Sequence, residues 1–97
     1  MKFTTENVSA NGTWLQGYIV ATRRELEATF GAPSFEGEGD KTTTEWDIQF
    51  DDGGTVATIY DWKRYVAPHM DERITWNVGG TTYLSVERVE DALLIHA

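Results

Sequence analysis

The chain of 97 residues is long enough to bury one hydrophobic core and too short to divide into two. An apolar content of 40%, with four residues each of Trp, Tyr and Phe, excludes a disordered chain. The absence of cysteine excludes a disulfide framework, a thiolate metal site and a cysteine nucleophile, and sixteen acids against eight bases leave a formal charge of −8 that opposes binding to a phosphate backbone.

The acids concentrate between Glu36 and Asp52, where Glu36, Glu38, Asp40, Glu45, Asp47, Asp51 and Asp52 are accompanied by one base, Lys41. Such a field attracts basic surfaces, including those that hold nucleic acid, and it also serves solubility. No stretch approaches the roughly 18 apolar residues of a membrane span, and the N-terminus lacks the apolar run of a signal peptide. The expected location is the cytoplasm.

In chain order, the polar segment up to Gly12, with scattered Phe3 and Val8, suits a short edge strand or a loose arm. In TWLQGYIVAT the residues Leu15, Tyr18, Ile19 and Val20 need a core, but their spacing does not choose between a helical turn and a strand. Thr22 to Phe30 reads as a helix. Thr22 and Glu25 fit a capping box, Leu26 and Phe30 share a face, and Gly31 and Pro33 end it. SFEGEGDK is an acidic connection.

TTTEWDIQF (42–50) alternates, with Thr44, Trp46, Ile48 and Phe50 on one side and Glu45, Asp47 and Gln49 on the other, the pattern of a half-buried strand. DDGG (51–54) is a hairpin loop, TVATIYDW (55–62) the returning strand and RITWNV (73–78) a third strand. GGTTYLSVERVEDALLI closes the chain as a second helix capped by Thr81 or Thr82, with an apolar stripe of Tyr83, Val86, Val89 and Leu93. The expected fold is a single α+β domain, an antiparallel meander of three to four strands with helices packed on one face as a two-layer sandwich.

The placement of Tyr60 and Trp62 depends on the hairpin loop. A loop of two or four residues pairs Ile48 with Ala57 and Trp46 with Ile59, which puts Tyr60 and Trp62 on the outer face beside Glu45 and Asp47. A three-residue loop moves Val56, Tyr60 and Trp62 into the core. Asp52-Gly53 suits a type I′ turn and favours the even loop. Aromatics grouped with charge on an outer face then form a recognition patch, with Glu45, Asp47, Tyr60, Trp62 and Lys63 as its candidate residues.

Other chemistry is sparse. Glu45 and Asp47 on one strand face would place their carboxylates roughly 6–7 Å apart, a spacing that serves glycoside hydrolysis, yet a solvated strand gives the same alternation. His69 and His96 have no second ligand at metal spacing, DDGG has too few oxygen ligands for a calcium loop, and no motif marks a serine or threonine nucleophile. No enzyme activity, metal or cofactor is expected. NVGGTT (77–82) is the best small-ligand feature, because Gly79, Gly80 and Thr81 precede a helix N-terminus whose free amides favour a nucleotide-like anion; a turn and a cap account for the same residues. DWKRY interleaves Lys63 and Arg64 with Trp62 and Tyr65, a pattern that stacks on nucleic-acid bases, but the surrounding acids oppose it.

The segments WLQGYI, LEATFGAP, KTTTEWDIQFDDGGTVATIYDWK and WNVGG resemble, in the same order, segments of small proteins encoded by tailed bacteriophages and prophages. The likeness covers about two thirds of the chain and implies a phage accessory protein without supplying an activity. A second likeness is architectural: a helix ending in FGAP before an antiparallel meander resembles beta-lactamase-inhibitor-like folds, which present a sheet face to a protein partner. This chain departs from them in its terminal helix and in lacking a lipobox cysteine. The expected function is binding and modulation of a bacterial host protein, such as a defence nuclease, without direct contact to nucleic acid or membrane. Sequestration of a nucleotide-like anion, with a homodimer as one arrangement for it, and a virion or structural role are the alternatives.

Overall fold

The computed structural model describes residues 2–37, 42–62 and 66–96. Eight elements follow in order: β1 (Phe3–Thr4), β2 (Trp14–Thr22), α1 (Arg23–Phe30), β3 (Phe35–Glu36), β4 (Thr44–Phe50), β5 (Val56–Tyr60), β6 (Arg73–Gly80) and α2 (Leu84–His96). The strands form one open antiparallel sheet in the order β1-β4-β5-β6-β2, with β3 also paired to β4. The α+β class and the meander of β4, β5 and β6 agree with the alternation in the sequence. The sheet is larger than three to four strands because β2 joins β6 at one edge, while β1 and β3 share the far edge of β4.

The segment whose period was ambiguous, Trp14–Thr22, is the longest strand. Its pairing with β6 slips between Leu15 (opposite Gly79) and Gly17 (opposite Val78), a bulge that interrupts the two-residue period. Past the bulge Ile19 and Ala21 face the core, whereas Tyr18 and Val20 are exposed. No loop separates β2 from α1, since Thr22 ends the strand and caps the helix. The Thr22 hydroxyl accepts from the Glu25 amide at 3.1 Å, and the Glu25 carboxylate accepts from the Thr22 amide at 2.8 Å, completing the capping box. Gly31 ends the helix with a φ of 83° open to glycine alone at its ψ of −164°.

Trp46 and Trp76, both fully buried, meet edge to face at a centroid distance of 5.4 Å. Their indole N–H groups reach the two ends of α1: Trp76 donates to the Ala21 carbonyl at 3.0 Å and Trp46 to the Gly31 carbonyl at 2.9 Å. Around them lie Ile48, Ile59 and Val78 of the sheet, Leu26 and Phe30 of α1, and Val86, Val89 and Ala92 of α2. Phe3 extends this core through ring contacts with Phe30 and Phe50 at 5.1 and 6.0 Å. Tyr83, expected on the apolar stripe of the last helix, precedes α2 and is exposed. The α2 start is held by Thr82, whose hydroxyl accepts from the Leu84 amide at 3.3 Å. No helix among the described residues is long and apolar enough to cross a membrane.

The Phe50 amide donates to the Thr55 carbonyl at 2.8 Å, one pair beyond the strand bounds, so that the four residues Asp51 to Gly54 form the loop between β4 and β5. Gly53 and Gly54 take φ values of 102° and 100°, so the turn is not the two-residue type I′ turn on Asp52-Gly53. The Asp52 carboxylate accepts from the Thr55 amide at 3.0 Å, the Thr55 hydroxyl at 2.8 Å and the Arg88 guanidinium of α2 at 2.8 Å. At the opposite end of the hairpin, the fully buried Asp61 carboxylate accepts from the Thr43 and Thr44 amides at 2.8 and 2.9 Å and from the Thr43 hydroxyl.

Two stability predictions follow from these carboxylates. Asp61→Ala orphans the two threonine amides, at about 1–3 kcal/mol for each buried donor left unpaired, so urea unfolding should show a loss of about 2–6 kcal/mol; a loss below about 1 kcal/mol would contradict this role of Asp61. Hydrogen bonds from Arg88 and Thr55 hold the Asp52 carboxyl down at about 2, against an ordinary 3.8. Its contribution is therefore complete above pH of about 4 and disappears as pH falls towards 2. Asp52→Asn should flatten the acid limb of a thermal-melting series by removing that component.

Candidate functional site

The even register places Ile48 opposite Ala57 and Trp46 opposite Ile59, so the other side of the sheet carries Glu45 opposite Tyr60 and Asp47 opposite Thr58. One row of residues crosses five strands on this outer face: Tyr18 of β2, Asn77 of β6, Tyr60 of β5, Glu45 of β4 and Phe35 of β3. The adjacent row, Leu15, Gly79, Thr58 and Asp47, has small residues at its centre. Large side chains beside small ones leave a depression of about 300 Å³ lined by Leu15, Tyr18, Tyr60, Trp62 and Asn77.

Tyr60 and Trp62 meet edge to face at 6.3 Å, and Tyr18 and Trp62 remain 58% and 46% exposed. The depression thus offers aromatic surface on two sides and the Asn77 amide between them. Of the residues expected in a recognition patch, Glu45, Asp47, Tyr60 and Trp62 share this face, and Lys63 lies outside the described residues. Leu15, Tyr18 and Asn77 were missed. Their signal, apolar and aromatic residues on a neighbouring strand, becomes readable only once Trp14–Thr22 is known to be a strand.

Glu45 and Asp47 come closer than the expected 6–7 Å, because their carboxyl groups are within hydrogen-bonding reach of each other. Burial pushes the Glu45 carboxyl up to about 8, the hydrogen bond with Asp47 and its charge add to the shift, and Asp61 contributes further repulsion. Phe35 and Tyr60 stand directly opposite Glu45 on the flanking strands. One Asp47 oxygen, Oδ1, is buried without a hydrogen-bond partner among the described residues. Two carboxyls that retain a proton at neutral pH present both a donor and an acceptor, and an arriving cation would displace the proton.

Gly79 and Gly80 end β6 and are paired on both sides within the sheet, so they do not form a loop ahead of a helix. Packing accounts for both. A Cβ on Gly79 would lie 2.5 Å from the Thr58 hydroxyl on the outer face, and one on Gly80 would lie 2.4 Å from the Ser85 hydroxyl of α2. Thr81 is exposed, and three residues separate Gly80 from the first residue of α2. Among the described residues, no group of three or more His, Cys, Asp or Glu side chains could hold a metal ion.

Comparison with protein-family models gives no match, and neither curated proteins nor solved structures give one.

The carboxyl pair makes a signed prediction. With Glu45 raised from 4.5 to about 8, the native state keeps a proton that the unfolded chain has released. Stability therefore falls as pH rises through that interval and levels off above it. Glu45→Gln should remove this component, so its urea midpoint should vary less than that of the parent between about pH 5 and about pH 9. Equal slopes in the two proteins would rule out a shared proton.

Proposed function

We propose that the chain is a small acidic binding protein of tailed-phage type that acts in the cytoplasm of a bacterial host, where it engages and inhibits or redirects a host protein with a basic surface. It acts by occupying a surface rather than by catalysis. The observation that carries this reading is the aromatic depression of Leu15, Tyr18, Tyr60, Trp62 and Asn77 beside the Glu45–Asp47 pair on one sheet face. Tyr and Trp are the side chains that most often dominate binding energy, since they offer large rigid area at low entropic cost.

Acids next to ring faces select the partner's chemistry. An arginine or lysine side chain entering the depression would meet the negative faces of Tyr18, Tyr60 and Trp62 and replace the proton held by Glu45. The net charge of −8 steers a basic surface towards the chain and repels nucleic acid, which suits the basic groove of a nuclease such as a defence enzyme.

Capture of host proteins from a bacterial lysate, at low and at moderate salt, tests the reading. The expected result is retention of a basic protein that weakens with salt and is lost with the Tyr60→Ala/Trp62→Ala double variant. A hot-spot loss of at least about 2 kcal/mol corresponds to about 30-fold in affinity. Capture of the same proteins by a folded double variant would reject the outer face as the binding surface.

A further inference from the structure

The two edges of the sheet are treated differently. The far edge of β4 is covered, by β3 at Thr44 and Glu45 and by β1 at Gln49 and Phe50, and the Asp47 amide between them donates to the Ser34 hydroxyl at 2.9 Å. At the other edge β2 is paired to β6 alone, and no strand among the described residues covers its outer side. Edge strands are ordinarily protected by charge, proline, shortness or a bulge. β2 has nine residues, WLQGYIVAT, with no charge and no proline, and its bulge spans only Leu15 to Gly17. Beyond the bulge, Gly17 to Thr22 pair regularly with β6; the Ala21 carbonyl accepts from the Trp76 indole and the Thr22 amide donates to Glu25, and from Gly17 to Val20 no strand among the described residues pairs the other side.

Apolar side chains gather at this edge. Trp14, Leu15, Tyr18, Val20, Tyr83 and Leu94 are all exposed; Tyr83 lies beside Gly17, and Leu94 lines the same groove as Tyr18 and Val20. That groove, of about 510 Å³, runs between the Tyr18 to Ala21 stretch of β2 and Glu25, Glu90, Leu93 and Leu94 of the helices.

We infer that the β2 edge is a self-association surface, on which β2 of a second copy pairs antiparallel about a two-fold axis to make one continuous sheet. Charge selects this occupant. In a chain of net charge −8, two copies repel over most approaches, and β2 is a charge-free strand along which they can meet. Of the two groove acids, Glu25 is already bound by Arg73 at 3.1 Å, and Glu90 is exposed at the rim. An isologous pairing keeps both helical sides together, so Leu94 of each copy approaches the joint.

The area is sufficient. Trp14, Leu15, Tyr18, Val20 and Leu94 are 60, 43, 58, 61 and 74% exposed. With about 150–250 Å² for a whole aromatic side chain, covering most of that surface in both copies removes about 1,000 Å², the lower limit for a specific interface. The dimer is therefore concentration-dependent; it covers Leu15 and Tyr18 at the near side of each depression and leaves Tyr60 and the Glu45–Asp47 pair of each copy outside the joint.

Sedimentation equilibrium over about 5–200 μM, a range suited to an interface at that lower limit, tests this inference. The expected mass rises from the 10.9 kDa of the chain towards twice that value, and added salt strengthens the association by screening like charge. Val20→Lys, which sets like charges across the joint, should leave a folded monomer by circular dichroism; if that variant does not fold, Tyr18→Lys replaces it. Amide exchange of residues 15–22 in the parent protein should slow with concentration. A mass of 10.9 kDa throughout, dimerisation unchanged in either folded lysine variant, or exchange at β2 independent of concentration would overturn the inference. So would an edge protected only by an added extended polybasic peptide, which would assign it to a foreign strand.

Discussion

The parity of one loop decides the character of the sheet. Because successive side chains alternate, removing a single residue between β4 and β5 would carry Tyr60 into the core and turn Ala57 and Ile59 outwards. The loop is held at four residues by the Asp52 carboxylate, which gathers the Thr55 amide and hydroxyl, and by the Arg88 guanidinium, which ties that carboxylate to α2. The turn is thus fixed by its own side chain and again by Arg88 of α2. The aromatic row, the carboxyl pair and the depression all inherit their positions from this register.

What was readable in the sequence is what depends on near neighbours. α1 could be placed because its cap, apolar pair and terminator lie within ten residues, and the meander because Trp46, Ile48 and Phe50 alternate without interruption. β2 was unreadable for two local reasons: the bulge after Leu15 breaks its period, and Thr22 serves strand and helix at once, leaving no turn residues to mark a boundary. Gly79 and Gly80 resemble punctuation in a sequence, yet they continue β6 because Thr58 and Ser85 leave no room for a Cβ. That reason lies in residues distant along the chain. The Glu45–Asp47 pair is legible as a spacing, but its retained proton depends on burial between β3 and β5 and on Asp61, which only the fold brings near.

The acidic run between Glu36 and Asp52 is less uniform in space than in sequence. Glu36 is bound by Arg23, Asp52 by Arg88, and Asp51 accepts from the Lys2 amide at 3.1 Å. These carboxylates are employed in joining elements. Glu45 and Asp47, by contrast, interact with each other and lie on the face that carries the aromatic depression, with Glu45 directly opposite Tyr60. The electrostatic contrast on the outer face therefore arises from which acids have no ion pair among the described residues, more than from the total number of acids.

The four tryptophans also divide the chain into two optical compartments. Trp46 and Trp76 are dry, in edge-to-face contact and hydrogen-bonded to carbonyls at either end of α1, whereas Trp14 and Trp62 are largely wetted. Emission from the inner pair is expected to lie to the blue of that from the outer pair, which solvent and quenchers reach. The native chain carries its own spectroscopic labels: one pair follows the integrity of the interior, and the other follows what touches the surface, without any added dye.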